Sequence, residues 1–356
     1  RATAAVPGGR GGAGYLALGF DRSRDAHPID TRLEATAMSE TDIRRVAFVF
    51  PGQGSQAVGM GSSWIESHPQ IEEVFDRADQ ALGEPLKQMC LTGPAEDLQL
   101  TANTQPAILT TSVAILEAIS DLPVEPVLMA GHSLGEYSAH VAAGSLTFED
   151  AVQLVRRRGE LMQDAVPVGE GAMAAVLGLE AETVEEIAAE AAGEEICSVA
   201  NLNAPTQIVV AGDRPAVERS IGLAKEHGAR RAMMLPVTAP FHTPLMRPAR
   251  HGLEPYLDAV DFQDPKVPVV CNIDALPISS GSAARDALER QVDGPVRWVE
   301  SIAWMVEHGG VDLFVEVGPG TVLTGLIRRI APTAKAVSLD KASGTEKLLD
   351  ILGETI

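Results

Sequence analysis

The chain has 356 residues, 45% hydrophobic and 22% charged, which is ordinary globular usage and excludes wholesale disorder. Its 28 Lys+Arg against 49 Asp+Glu leave a net charge of −21, which opposes nucleic acid and anionic membrane as bulk partners. No apolar run reaches the ~18 residues of a spanning helix, and three scattered cysteines (Cys90, Cys197, Cys271) supply neither a disulfide framework nor a zinc site, so a reducing, cytoplasmic setting is expected.

Residues 1–37 read differently from the rest. Six of the first twenty are glycine, and no helical or alternating pattern survives there. They read as a disordered tail or upstream extension, with Met38 a natural start. Tyr15 to Phe20 is too short for a signal-peptide core. From Val46 onward strands and helices alternate, which argues for an α/β core. Core strands are expected at 46–50, 126–130, 267–271 and 312–317. Helices are expected at 69–82, 105–120, 134–143, 147–165, 282–292, 295–308 and 321–330. Between 171 and 237 the rhythm changes to strand 172–179, helix 183–192, strands 196–200 and 207–211, helix 215–227 and strand 231–237. That βαββαβ order is the ferredoxin-like pattern. The expected organisation is a large α/β core from 38–170 and 238–356, with a ferredoxin-like subdomain at 171–237 inserted into it.

The chemistry centres on Pro126-Val-Leu-Met-Ala-Gly131-His132-Ser133-Leu134-Gly135-Glu136-Tyr137. An apolar strand ends, G-x-S-x-G follows, and a helix begins. This is the setting of a nucleophile elbow, in which a sharp turn exposes Oγ and glycines avoid backbone clashes. The helix N-terminus behind Ser133 offers N–H groups to a developing oxyanion. Alone the motif is weak; its strand–turn–helix context makes Ser133 a candidate nucleophile.

A serine needs a base. Of eight histidines, His68, His140, His227, His251 and His308 lie in helix-like or terminal contexts and are expected on the surface. His27 falls in the tail, and His132 suits a structural role at the turn. His242, in Val237-Thr-Ala-Pro240-Phe241-His242-Thr-Pro244, occupies a stiff proline-flanked loop, where functional residues concentrate.

Three arginines follow the serine. At 100° per residue, Arg158 sits in the middle of the apolar stripe of the 147–165 helix, with Ala151, Leu154, Val155, Leu161, Met162 and Ala165 within ~60° of it. Arg156 and Arg157 point among acids and Gln153, as a solvated face. A guanidinium in an apolar stripe is costly unless it meets an anion. Arg158 therefore either pairs with a buried acid or awaits a carboxylate substrate, which its planar fork suits. Pro51-Gly52-Gln53-Gly54-Ser55-Gln56 follows a core strand at the ligand-binding edge. It lacks the Lys of a P-loop and suits a backbone N–H given to an oxyanion. Glu316-Val-Gly318-Pro319-Gly320 reads as a structural turn.

Phe50-Pro-Gly-Gln-Gly-Ser-Gln56, Asn103-Thr-Gln-Pro-Ala107, Gly131-His-Ser-Leu-Gly-Glu-Tyr-Ser-Ala139, Pro240-Phe-His242 and Glu316-Val-Gly-Pro-Gly320 occur in this order. Together they resemble malonyl-CoA:acyl carrier protein transacylases of bacterial type II fatty acid synthesis, from about Arg45 to the C-terminus. The resemblance implies a hydrolase-like core with an inserted ferredoxin-like domain. It implies Ser133 as nucleophile, His242 as catalytic histidine, and Arg158 as the group that holds the malonyl carboxylate. It further implies an oxyanion hole from the N–H groups of Gln53 and Leu134, and a Gln291 carbonyl that orients His242 in place of a triad acid. A bulky aromatic before the histidine, here Phe241, accompanies preference for malonyl over methylmalonyl. Malonyl-CoA and acyl carrier protein are the implied partners, with no cofactor, no metal and a monomeric chain.

A serine thioesterase or other hydrolase is the competing reading. Such enzymes usually place an acid between Ser and His and a His near the chain end. Here the chain runs on from His242 to Ile356, and Arg158 would have no task. A polyketide-synthase-type acyltransferase also competes; without flanking domains a stand-alone enzyme is expected. Carrier proteins are typically acidic, so docking on a chain of −21 needs a local basic patch. Arg230, Arg231, Arg247, Arg250, Arg285, Arg290 and Arg297 are its candidates.

Overall fold

The computed structural model describes residues 44–237 and 239–353. The expected tail at 1–37 and start at Met38 lie outside the described residues.

Among the described residues ten strands form two sheets. In chain order they are β1 (Val46–Phe50), β2 (Pro126–Gly131), β3 (Gly171–Leu177), β4 (Cys197–Ala204), β5 (Gln207–Asp213), β6 (Arg231–Met234), β7 (Val269–Val270), β8 (Pro277–Ile278), β9 (Leu313–Glu316) and β10 (Lys335–Ser338). The first sheet has the order β10-β9-β1-β2-β7-β8, parallel except where β8 returns against β7. β1 sits in its middle and reads Val-Ala-Phe-Val-Phe because both of its faces are covered. Val46, Phe48 and Phe50 enter one apolar cluster, while Ala47 and Val49 enter another.

The helices that matter for the site are α1 (Thr101–Ala118), α2 (Gly135–Ala142), α3 (Phe148–Asp164), α4 (Ala181–Ala192), α5 (Arg214–Glu226), α6 (Gly281–Gln291) and α7 (Val322–Ile330). The second sheet is wholly antiparallel, in the order β4-β5-β3-β6, and takes all its strands from 171–234. With α4 and α5 it forms the expected βαββαβ unit. Ala172, Ala174 and Val176 pack towards these helices, while Met173, Val209 and Ala211 turn to the opposite cluster. β4 is also tied to the core: Leu202 N–H donates to the Val296 carbonyl and Val296 N–H to the Ala200 carbonyl, both at 2.9 Å.

Several expectations needed correction. The strand expected at 267–271 shrinks to two residues, and that at 231–237 ends at Met234. Pro236 has no N–H to continue the ladder, and Leu235 to Val237 instead line a cavity. β8, β10 and the helices Ser62–Ser67, Leu86–Thr92, Arg247–Asp258 and Gly344–Leu352 were not anticipated. In Arg247–Asp258 the prolines Pro248 and Pro255 hide an amphipathic helix that buries Ala249, Leu253 and Leu257. His227, His251 and His308 are exposed and His68 half-buried as a surface reading requires, but His140 is fully buried.

Candidate active site

The carboxyl ends of β1, β2 and β7 converge, where open α/β sheets hold ligands. Ser133 stands between β2 and α2 with φ +51°, a left-handed conformation that is strained for a non-glycine residue. The glycines beside it are required by contact. A Cβ on Gly131 would lie 1.9 Å from the Gly135 carbonyl, and one on Gly135 would lie 2.0 Å from the Phe50 oxygen. Asn272, just past β7, clamps the turn. Its Oδ1 accepts from Ser133 N–H (2.7 Å) and its Nδ2 donates to the Gly131 carbonyl (2.7 Å).

Ser133 Oγ lies 2.8 Å from His242 Nε2. On the far side of the ring, His242 Nδ1 faces the carbonyls of Gln291 (2.9 Å) and Gly294 (3.2 Å). Two acceptors there place the proton on Nδ1 and leave Nε2 to accept from the serine. Burial, reinforced by the nearby Arg158 charge, pushes the imidazole pKa down to about 3, so the ring is neutral at ordinary pH. His242 also has φ +61°. The pair thus meets across two strained backbone positions.

Arg158 is 2% exposed and approaches the same hydroxyl: Nη2 donates to Ser133 Oγ (3.1 Å) and to Gln291 Oε1 (2.9 Å). Nη1 donates to Gln105 Oε1 (2.7 Å), and the guanidinium lies 5.6 Å from the Tyr137 ring centre. Among the described residues no carboxylate reaches it, and its Nε–H has no partner. Burial lowers its pKa, while Tyr137 and Glu136 act against that shift. Of the two readings left open by the helical wheel, the direct ion pair is therefore absent. Arg156, expected on a solvated face, instead bonds to Glu84, Asn103 and the Ala102 carbonyl, with its side chain 11% exposed.

A buried carboxyl lies one step behind. Glu136 Oε2 accepts from Asn272 N–H and from Gln291 Nε2, both at 2.8 Å, and Gln291 Nε2 also donates to the Ser133 carbonyl at 3.0 Å. Burial raises Glu136 to about 7 against these two hydrogen bonds. The side chain of Gln291 thus joins nucleophile, guanidinium and carboxyl, while its backbone carbonyl holds the histidine.

Ser133, His242, Arg158 and Gln105 open on a cavity of about 430 Å³, within the range of small-ligand pockets. Gln53, Leu134 and Phe241 line it, as do Asn201 and Asn203 of β4. Neither Gln53 N–H nor Leu134 N–H has a backbone acceptor among the described residues. The Gln53 loop is pressed onto the elbow, since a Cβ on Gly52 would lie 2.2 Å from the His132 carbonyl oxygen. His132 itself bonds Asn203 Oδ1 through Nε2 (2.7 Å) and meets Trp298 edge-on, and burial lowers its pKa. Glu316 accepts from the N–H groups of Leu323 and Thr324 and so caps α7, the structural part expected of its turn.

The sequence reading missed Gln105, Glu136 and Asn272 as members of the site. Asn272 carried one usable signal, its place just after a core strand at the sheet's carboxyl edge. The basic candidates fare unevenly. Arg250, Arg285, Arg290 and Arg297 are each ion-paired with one or more of Glu289, Asp293, Asp258, Asp274, Asp286 and Glu300. Arg247 reaches only 3.9 Å from Asp293.

A strained seryl hydroxyl bonded to a neutral imidazole, beside two backbone N–H groups without backbone acceptors, is the arrangement that acyl transfer through a serine calls for. A family model described as the acyl transferase domain matches residues 47–344, and the chain belongs to that family. It is 45% identical over 311 residues to the malonyl CoA-acyl carrier protein transacylase of Bacillus subtilis (strain 168), covering 87% of this chain and 98% of the relative. Among solved structures it is similar to an acyl carrier protein S-malonyltransferase from Vibrio cholerae O1 biovar eltor, with 45% identity and a TM-score of 0.83 over 85% of this chain and 99% of the other. It is also similar to a malonyl-transacylase in complex with its type II PKS acyl-carrier protein, with 43% identity and a TM-score of 0.84 over 86% and 99% of the two chains.

Proposed function

We propose that this protein transfers malonyl from malonyl-CoA to the phosphopantetheine thiol of acyl carrier protein in fatty acid synthesis. The observation that carries the proposal is Arg158, a buried guanidinium without a contacting carboxylate, 3.1 Å from the Ser133 hydroxyl. Such a cation suits an acyl group that bears its own carboxylate.

In the first half-reaction Ser133 Oγ attacks the thioester carbonyl while His242 Nε2 takes the hydroxyl proton. The N–H groups of Gln53 and Leu134 receive the oxyanion. Collapse breaks the C–S bond, and His242 returns the proton to the departing CoA sulfur. The second half-reaction runs the same steps in reverse: His242 deprotonates the carrier thiol, sulfur attacks the malonyl ester, and Ser133 leaves with the proton. Throughout, the Gln291 and Gly294 carbonyls keep the Nδ1 proton in place, and Phe241 bounds the space at the malonyl α-carbon. Each half-reaction balances with one shuttled proton, so the chemistry calls for no cofactor.

A cytoplasmic, monomeric enzyme accompanies this reading. The three free, buried cysteines support the cytoplasmic part, and sedimentation of the pure protein checks the oligomeric part. The relative bound to a polyketide carrier favours polyketide synthesis as a second pathway for the same reaction. The test is labelled malonyl-CoA offered with fatty-acid-type and polyketide-type carrier proteins. Label on the carrier supports transfer and its rate ranks the pathways; label released only as malonate makes the protein a thioesterase.

A further inference from the structure

We infer that Asn272 is a positioning residue for the transfer reaction. Its side-chain amide continues the parallel sheet past the end of β7 and so holds Ser133 in the strained conformation from which Oγ reaches His242. The inference rests on Ser133 being the acylated residue of the proposed function.

β7 pairs with β2 at only two positions, Val269 with Met129 and Val270 with Ala130. Asn272 comes two residues after the backbone ladder stops. In a parallel ladder one residue gives its N–H to the carbonyl before its partner and accepts from the N–H after it. Asn272 repeats that pattern around His132 with its side chain: Nδ2 donates to the Gly131 carbonyl and Oδ1 accepts from Ser133 N–H, both at 2.7 Å. On the other edge the backbone of β1 still serves, since His132 N–H donates to the Phe50 carbonyl at 3.0 Å. The turn is therefore held from both sides. At φ +51° Ser133 leaves the extended conformation that a backbone strand could follow, and a side chain takes the strand's place.

A buried asparagine can serve merely to satisfy backbone groups, but three observations go further. First, Asn272 is fully buried and spends all of its polar groups, for its N–H donates to Glu136 Oε2 (2.8 Å) and its carbonyl accepts from Arg297 N–H (3.1 Å). Glu136 belongs to α2, so the clamp is anchored on the helix that the turn leads into. Second, the bond to Oδ1 keeps Ser133 N–H out of the oxyanion hole, while Leu134 N–H has no backbone acceptor among the described residues. Third, a left-handed serine persists only where its surroundings over-determine it. The two Asn272 bonds, with Gln291 Nε2 on the Ser133 carbonyl at 3.0 Å, do so. A relaxed turn would carry Oγ away from His242 Nε2, now at 2.8 Å.

The test compares the wild type with Asn272→Ala and with Asn272→Asp, each well below its unfolding midpoint. Asn272→Asp keeps an acceptor for Ser133 N–H but loses the donor to Gly131. The readouts are the rate constant of the first CoA release, the KM for malonyl-CoA and the malonyl-to-acetyl ratio. A fourth is the rate at which a fluorophosphonate marks Ser133, forming an O–P bond with loss of fluoride whatever the natural acyl group. Asn272→Ala should slow loading and marking roughly 10- to 100-fold, with KM and the acyl ratio within about twofold, and Asn272→Asp should fall between it and wild type. Unchanged loading with a lowered unfolding midpoint makes the residue structural and overturns the inference. A loss carried by KM or by the acyl ratio also overturns it, because Asn272 would then act through the cavity or Arg158. If Asn272→Ala does not fold, Asn272→Asp decides by the same readouts, and its loading at the wild-type rate overturns the inference. A wild type that takes no malonyl, yet is marked faster than Asn272→Ala, overturns the proposed function and leaves the positioning role standing.

Discussion

Arg158 Nη2 and Ser133 Oγ lie 3.1 Å apart, so the buried cation sits beside the candidate nucleophile itself. The remaining bonds of the guanidinium go to the amides of Gln105 and Gln291, which hold its position without cancelling its charge. On the proposed reading a substrate carboxylate gains from that charge, and an acetyl group does not.

Replacing Arg158 with Ala is therefore expected to separate the two acyl groups. Loss of the partner for a desolvated carboxylate costs on the order of 2–5 kcal/mol. Malonyl transfer should fall by that amount while acetyl transfer survives or rises, as competition between the two CoA esters measures. Equal losses would make Arg158 structural.

Phe241 precedes His242 and lines the cavity at 9% exposure. A methyl branch pressed on it is worth about 1–3 kcal/mol, or roughly 10- to 200-fold between malonyl- and methylmalonyl-CoA. Phe241→Ala should narrow that ratio. A ratio unchanged in the variant would place the discrimination elsewhere.

Glu136 adds a pH dependence with a defined sign. Its carboxyl is neutral below about 7 and ionised above, and ionisation places a second negative charge behind the malonyl carboxylate. The malonyl-to-acetyl preference should thus decline as pH rises from 6 to 8. Glu136→Gln keeps an acceptor oxygen for Asn272 N–H and Gln291 but removes the charge, so its preference should stay flat. A wild-type ratio that does not vary with pH would contradict this. His242 does not contribute in this range, because its pKa of about 3 leaves it neutral throughout.

His140 bears on stability instead. It is fully buried, neither ring nitrogen has a partner among the described residues, and burial lowers its pKa to about 4. The unfolded imidazole takes up its proton near 6.5. As pH falls from 6.5 to 4 the unfolded state alone binds that proton, and stability is lost by up to about 3 kcal/mol. His132 and His242 act in the same direction and Glu136 in the opposite one, so the measurement is a difference. Denaturant unfolding of His140→Leu relative to wild type should shift in the variant's favour between pH 7 and pH 5. A gap independent of pH would show that His140 is not the group responsible.

The parts of the site legible in sequence were those with a local signal. Ser133 had strand, turn and helix around it, His242 had a proline-flanked loop, and Arg158 stood out in an apolar stripe. The rest depends on contacts across long separations. Gln291 reaches the Ser133 carbonyl over 158 positions, and Asn272 reaches Ser133 N–H over 139. No periodicity records such pairs. His140 misled for a related reason: α2 is buried over Gly135 to His140 without a solvent face, so its polar residues carry no wheel signal. In the fold, both faces of β1 were readable as a continuous apolar run, whereas two-residue β7 and β8 and the proline-bearing helix Arg247–Asp258 fell below what pattern can show.

The most direct test of acyl transfer through Ser133 is intact mass after brief incubation with malonyl-CoA, without carrier protein. The wild type should gain one malonyl group, which addition of carrier protein discharges, and Ser133→Ala should gain none. A malonyl adduct that persists on Ser133→Ala would contradict the account.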